Sequence, residues 1–509
     1  MPLPNGYSIN SAREDEIEDD EPLIENAVPS KCCSVRLGLA ILMFFGFVAV
    51  YALRVNLSVA MIAMVNSTDP NPAKNSSKSY DCPLSPDLTN NSDGFQYPEG
   101  IPRYPWDSET QGWLLGAFFF GYLCTQIPGG YLAGHYGGSI FLGVGVLGTA
   151  VLTLFTPLAA QMGPHWLFAL RALEGFGEGI TFPAMMALWS RWAPPLERSG
   201  LMTLTASGSN FGAFLSLPLT AYICQTLGWP SVFYICGGAG CLWSVFWFSL
   251  VSDDPRTHRR ISQEERDYII NSIGHQGTGH GWSLPLLSIM MSVPMWIIII
   301  TQMCANWSYY TLLTSLPTYM DSILHFDLKS NGFLSALPYL GGWLMAIVSG
   351  FLADYMIRRK IFSLTVVRKL FTAVGLLSSA GFLLGVAYVG CSHIYTITLL
   401  TLSTTIGATA ATGVFINQMD IAPRYSGILL GITNTFGTIP GVLAPIATGY
   451  FTEDHTLAGW RKVFWVSGGI NIFGALIYIL FATAKIQTWA ITEEEKEEVE
   501  KECSSSISA

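Results

Sequence analysis

The chain has 509 residues, of which 50% are hydrophobic and only 12% are charged. Soluble domains carry about 25% charged residues, so this composition excludes an ordinary soluble protein and indicates a membrane protein with many spans. The formal net charge of −10 lies largely in two acidic stretches, at 14–21 and 493–502. No basic patch interleaved with aromatic residues points to nucleic-acid binding.

The first 35 residues are polar and acidic, which predicts a disordered cytosolic tail and no cleavable signal peptide. Within this tail, Asp19, Leu23 and Ile24 fit the acidic dileucine pattern, in which an acid stands four residues before Leu-[Leu/Ile]. The pattern predicts recognition by a clathrin adaptor and sorting to an internal membrane.

Twelve apolar runs follow, each near 20 residues and therefore long enough to cross a bilayer. They are predicted at 36–65, 109–133, 138–160, 165–191, 199–225, 229–251, 291–320, 329–355, 362–390, 393–419, 424–451 and 461–484. A polar linker at 252–290 divides them into six-helix halves at 36–251 and 291–484, and 485–509 forms a second tail. The second half of the linker predicts a short amphipathic surface helix.

Basic residues cluster at one set of span ends, which predicts that this face and both termini are cytosolic. The loop at 66–108 is then lumenal, and its N-x-[ST] sequons at Asn66, Asn75 and Asn90 predict glycosylation. Cys82 and Cys391 both fall in lumenal loops and are candidates for a disulfide.

The two halves repeat short motifs. Gly-Tyr-Leu-Ala at 130–133 returns as Gly-Phe-Leu-Ala-Asp at 350–354, an offset of 220 residues. Such a repeat predicts two six-helix bundles related by an axis along the membrane normal, with a binding site between them at mid-membrane. Asp354 ends span 8 on the cytosolic side, where it can cap a neighbouring helix and latch a gate. The first half has Gly134 at the matching position.

Three charges lie inside the fourth span: Arg171, Glu174 and Glu178. Their i, i+3, i+7 spacing puts them on one helix face, and each costs at least about 2.5–3.5 kcal/mol at mid-bilayer. One interpretation is a fixed ion-pair network between helices. The other is proton coupling, which the second acid favours. Glu174 is one turn from Arg171 and is expected to pair with it. Glu178 is two turns away, is expected to lack a close cation, and is the candidate proton carrier.

Arg54 is a further charge within a span, and its planar fork matches a carboxylate. It predicts an anionic substrate, or an ion-pair partner for Glu174 or Glu178, and the two roles are compatible. Aromatic and amide side chains near the expected cavity are candidate substrate contacts, with packing and interhelical hydrogen bonds as the alternatives. They are Tyr51, Phe118, Phe119, Tyr122, Asn306, Tyr310, Tyr339 and Asn417.

Long motifs in both halves are similar to the anion-transporter family of the major facilitator superfamily. They include YALRVNLSVAM, WDSETQGWLLGAFFFGYLCTQIPGGYLA, RALEGFGEGITFPAM and NQMDIAPRYSGILLGITNTFGTIPG, and the resemblance runs from about residue 32 to 489. It implies an all-α, twelve-helix secondary transporter and not an enzyme, with protons as coupling ion and no other cofactor. It also implies substrate contact at Arg54 and proton coupling through Arg171, Glu174 and Glu178.

Within this family the likeness is greatest to lysosomal carriers of sialic acid, which implies proton-coupled export of sialic acid and other acidic sugars. The vesicular glutamate carriers differ, because their histidine in span 2 is Leu115 here and their arginine in span 7 is Ala305. Met186 replaces a histidine of the sialic acid carriers, which leaves the pH profile open. The alternatives are a vesicular or plasma-membrane carrier of glutamate, aspartate or other organic anions, and a sensor that does not transport.

Overall fold

A computed structural model describes residues 34–65, 101–273, 286–422, 425–454 and 456–490. Several predicted features lie outside these ranges and stay predictions: Asp19, Leu23, Ile24, Asn66, Asn75, Asn90 and Cys82. Cys391 lies within them and is disulfide-bonded. Its pairing with Cys82 remains a prediction.

Helices fill the first half of the chain. They are α1 (Val35–Met64), α2 (Ser108–Tyr136), α3 (Gly138–Leu154), α4 (Thr156–Met162), α5 (Pro164–Glu178), α6 (Thr181–Trp192), α7 (Pro195–Thr226) and α8 (Trp229–Leu250). The linker contributes α9 (Gln263–Ile273), which is the amphipathic helix predicted there, and α10 (Leu286–Met290). Ile269, on the apolar face of α9, is fully buried.

The second half repeats this pattern. It contains α11 (Val293–Ser322), α12 (Leu328–Arg358), α13 (Leu364–Val389), α14 (His393–Gly407), α15 (Ile416–Ile421), α16 (Ser426–Phe451) and α17 (Leu457–Phe481). Each of the twelve predicted stretches contains helix. By length and hydropathy, seven described helices are able to cross a membrane, and the bent pair α3–α4 adds an eighth if it is one span.

Three predicted spans are interrupted, which hydropathy does not show. The axes of α3 and α4 differ by 48°, and Pro157 stands in the first turn of α4, where its missing N–H is tolerated. The α5–α6 span breaks after Glu178, the last residue of α5. Between α14 and α15 the chain passes through a π-helical turn, Ala411–Phe415. There Gly413 lies against α13, so that a Cβ would stand 2.6 Å from the Arg368 carbonyl oxygen.

The halves meet through α2 with α16 and through α7 with α12. We call the end that carries Met64 and Ser108 the loop end, and the end that carries Val35 and Tyr136 the tail end. The loop end is closed by backbone contact, because a Cβ on Gly112 would lie 2.6 Å from the Pro445 carbonyl oxygen. Only glycine permits this approach of α2 to α16.

Two acidic residues mark the ends of these helices. Asp107 caps α2 at the loop end by accepting a hydrogen bond from the Thr110 N–H at 2.9 Å. Hydrogen bonds from Thr110 lower the pKa of the Asp107 carboxyl, which favours the ionised form of the cap. Asp354 lies at the tail end, where it is exposed and makes no hydrogen bond or ion pair with any residue in the described ranges. The latch predicted for Asp354 stays a prediction, because residues 423–424, which precede α16, lie outside the described ranges.

Candidate functional site

Arg54 and Glu178 form a buried ion pair that joins α1 to α5. The Arg54 Nε donates to Glu178 Oε1 at 2.8 Å, and Nη2 donates to the same oxygen. Arg54 is 6% exposed and Glu178 is 0% exposed. The expectation that Glu178 lacks a close cation was wrong, because spacing along one helix cannot reveal a charge supplied by another. Arg54 is an ion-pair partner, as one of the two interpretations held.

Arg171 and Glu174 form a second pair, as the i, i+3 spacing predicted, with Nη1 and Oε2 2.6 Å apart. Arg171 also donates from Nη1 to the Leu53 carbonyl at 3.3 Å and from Nη2 to the Arg54 carbonyl at 3.0 Å. The hydroxyl of Thr156 donates to Glu174 Oε1 at 3.1 Å. This pair therefore fixes the backbone of α1 at the level of Arg54.

Glu178 retains an unused acceptor. Its Oε2 is buried and has no hydrogen-bond partner in the part of the chain that the structure describes. A protonated carboxyl gains an O–H donor and keeps acceptor capacity. A proton can thus bind at Oε2 without first displacing a donor, which makes Glu178 chemically suited to proton exchange.

Aromatic rings surround the Arg54 guanidinium. Its central carbon is 4.6 Å from the ring centroid of Tyr51, 4.8 Å from that of Tyr122 and 5.1 Å from that of Phe118. A cation within about 6 Å of a ring centroid is attracted by the ring quadrupole, most strongly where water is excluded. These rings therefore add to the attraction that holds the guanidinium in place beside Glu178.

A small cavity lies beside the Arg54–Glu178 pair, between the two halves. It is lined by Arg54, Val55, Ser58, Leu115, Phe118, Phe119, Arg171, Leu313 and Thr314. Its volume of about 10 Å³ leaves room for one water molecule, whereas pockets that bind organic ligands have volumes of about 300–1,000 Å³. The halves are thus closed around the site, and they must separate to admit an organic anion. Leu115 contributes an apolar side chain to this wall.

Aromatic residues of the second half reach the same region. The rings of Phe119 and Tyr310 are 4.7 Å apart across the boundary between halves. Tyr309 donates from its hydroxyl to Asn210 Oδ1 at 3.4 Å, also across this boundary. Tyr339 is 1% exposed, and its ring lies 6.2 Å from that of Tyr309.

The two predicted amides do not line the cavity. Asn306 donates from Nδ2 to the Gly437 carbonyl at 2.7 Å, which is the interhelical hydrogen bond considered as its alternative role. Asn417 is 1% exposed and packs near Tyr478 inside the second half. Both were chosen because polar groups in hydrocarbon need partners. Asn306 finds its partner within the second half, whereas the Asn417 Oδ1 has no hydrogen-bond partner among the described residues.

Sequence reasoning missed several polar residues at the site. Thr156 donates a hydrogen bond to Glu174, and Ser58 and Thr314 line the cavity. In the sequence these small hydroxyl residues look like ordinary helix residues. Gln126 was also missed, although a glutamine in the middle of an apolar span is a visible signal. The structure places it between the halves, fully buried.

Comparison with known proteins places the chain in a family. Residues 39–445 match the family described as the Major Facilitator Superfamily. The chain is 47% identical over 486 residues to sialin of Homo sapiens, covering 94% of this chain and 96% of that protein. It is 40% identical to the probable small intestine urate exporter of Mus musculus, covering 94% and 97%. It is 37% identical to the sodium-dependent phosphate transport protein 3 of Mus musculus, covering 93% and 98%.

Solved structures agree on the fold. A bacterial homologue of the human lysosomal transporter Spinster, inward-facing and occupied, superposes with a TM-score of 0.63 at 13% identity, covering 89% of this chain and 99% of that one. The D-xylose–proton symporter gives 0.61 at 14% identity, covering 89% and 100%. With its helical halves, buried charges and these relatives, the chain belongs to the Major Facilitator Superfamily and, within it, to the anion-transporter family, as a multi-pass secondary transporter of small anions.

Proposed function

We propose that this transporter exports sialic acid and other acidic sugars from the lysosome together with protons, by alternating access. The observation that carries the proposal is the buried Arg54–Glu178 pair beside a cavity between the halves. The Glu178 carboxylate, which is titratable, binds the Arg54 guanidinium that a substrate carboxylate would also need. Proton and substrate therefore act on one ion pair.

The coupling follows from competition for Arg54. In the acidic lumen a proton binds Glu178 at Oε2, and neutral Glu178 holds Arg54 less strongly, since a hydrogen bond to a charged group is about twice as strong as a neutral one. Arg54 then turns its fork to the substrate carboxylate. In the cytosol Glu178 releases the proton, recovers Arg54 and displaces the substrate. Arg171 and Glu174 stay paired throughout and hold α1 in place.

Sequence features and the comparisons support the lysosomal location. The tail contains the dileucine pattern at Asp19, Leu23 and Ile24, and the loop at 66–108 contains three sequons. Its 47% identical human relative carries the name sialin, and the resemblance described above is to lysosomal carriers. Positive span ends orient both tails toward the cytosol, where an adaptor can bind.

The test is uptake into proteoliposomes under an imposed pH gradient. Labelled sialic acid should accumulate in wild-type vesicles when the gradient drives protons along with it, and should stop accumulating when an ionophore removes the gradient. Arg54→Ala vesicles, matched for protein content, are the control. Uptake of labelled glutamate but not of sialic acid would support the organic-anion alternative, and uptake of neither would support a sensor.

A further inference from the structure

A hydrogen-bonded trio joins the halves one helical turn from the ion-pair site. Gln126 of α2 is fully buried and donates from Nε2 to Thr438 Oγ1 of α16 at 3.2 Å. Its Oε1 accepts a hydrogen bond from Asn434 Nδ2 at 2.7 Å. Thr438 donates to the Asn434 carbonyl at 2.8 Å. Both partners of the Gln126 amide thus belong to the other half.

These bonds cannot persist through alternating access. When α2 and α16 separate at this level, the Gln126 amide loses both partners together. A buried amide without partners is strongly unfavourable, so new donors and acceptors must replace Asn434 and Thr438. Water supplies them in an empty site, and hydroxyl groups of a substrate supply them in a filled one.

The trio lies where part of a bound anion would extend. Gln126 is one turn beyond Tyr122 on α2, about 6 Å along the helix axis, and the Tyr122 ring is 4.8 Å from the Arg54 guanidinium carbon. A second small cavity, also about 10 Å³, is lined by Gln126, Phe182, Pro183, Leu430, Gly431 and Asn434. A Cβ on Gly431 would meet no atom within 4 Å. Room for about one water molecule therefore already exists beside both amides.

We propose that Gln126 and Asn434 form a hydroxyl-binding subsite that selects polyhydroxylated acids over plain carboxylates. The inference rests on the proposed function, and it adds the residues that bind the hydroxylated part of the substrate. Arg54 binds the carboxylate, and the two amides bind the hydroxylated tail by exchanging their bonds across the halves for bonds to substrate. A side-chain amide offers both a donor and an acceptor, which suits a hydroxyl group.

The test compares two competitors that share a ring and a carboxylate. Glucuronic acid carries ring hydroxyls, and tetrahydropyran-2-carboxylic acid carries none. Their inhibition constants are measured against labelled sialic acid uptake in wild type, Gln126→Leu and the milder Gln126→Asn, which keeps an amide on a shorter arm. Thr448→Val is the matched control, since the described hydrogen bond of the Thr448 hydroxyl stays within its own helix, at the Ala444 carbonyl.

In Gln126→Leu the inhibition constant of glucuronic acid should rise about tenfold for each hydrogen bond lost, roughly 1.4 kcal/mol. That of the plain acid should stay within about twofold. Gln126→Asn should shift the constants in the same selective way, and Thr448→Val should shift neither. An equal rise in the inhibition constants of both acids, or no rise in either, would overturn the subsite. The proposed function would still stand in that case, because it depends on sialic acid uptake by the wild type. Absence of sialic acid uptake in wild type would overturn both.

Discussion

Replacing Arg54 with lysine keeps the charge but removes the fork. Arg54 now bonds to Glu178 Oε1 through both Nε and Nη2, and an ammonium can make only one of these contacts from a fixed position. Loss of one hydrogen bond to a charged partner costs about 1.5–3 kcal/mol. Because 1.4 kcal/mol corresponds to a tenfold change, kcat/KM for sialic acid should fall roughly 10- to 150-fold.

The assay is initial-rate uptake into proteoliposomes that contain equal amounts of wild-type or Arg54→Lys protein. Arg359→Lys is the matched control, because the Arg359 guanidinium also lies over a tyrosine ring, 5.8 Å from the Tyr355 centroid, but on the exposed tail end. Its kinetics should be unchanged, and both variants should reach the same membrane in cells. Wild-type kinetics in Arg54→Lys would refute the substrate role and leave Arg54 a structural cation.

Four further outcomes are expected. Glu174→Gln should lower the melting temperature in detergent much more than Thr156→Val does. An unpaired buried Arg171 costs about 3–5 kcal/mol, whereas a lost neutral hydrogen bond costs about 1 kcal/mol. Equal shifts in the two variants would contradict the anchoring role of Glu174. Glu178→Gln should abolish net uptake driven by a pH gradient yet leave substrate counterflow, since exchange needs no net proton movement; a wild-type pH dependence would remove Glu178 as carrier. Gly112→Ala should disfavour the closed loop end by about 1–3 kcal/mol and slow transport. Gly148→Ala should not slow it, because a Cβ there meets nothing within 4 Å. Identical transport rates in the two variants would show that loop-end closure is not needed. Leu23→Ala with Ile24→Ala should move the protein from lysosomes to the cell surface, as seen by imaging, and unchanged lysosomal staining would reject this sorting signal.

The sequence predicted those features that depend on one helix at a time. Hydropathy located the helical stretches, and the i, i+3 spacing identified the Arg171–Glu174 pair. It offered Glu174 or Glu178 as a partner for Arg54 but could not choose between them, because Arg54 and Glu178 are 124 positions apart and meet only when α1 packs on α5. The same limit applies to Gln126 with Asn434. For Asn306 the sequence predicted a substrate contact, with an interhelical hydrogen bond as the alternative, and only the packing of α11 against α16 reveals that bond.

The two ion pairs differ in how many partners hold each arginine, and this difference supports the roles proposed for them. Arg171 bonds to one carboxylate and to two backbone carbonyls of α1, and protonation of an acid cannot remove the carbonyls. The hydrogen bonds described for the Arg54 guanidinium go to a single carboxylate oxygen, and ring faces supply the remaining attraction. Rings attract the cation without saturating its N–H donors, so Arg54 can exchange one carboxylate for another without leaving its place. These contacts support the proposed roles, in which the Arg54–Glu178 pair changes during transport and the Arg171–Glu174 pair keeps it in position.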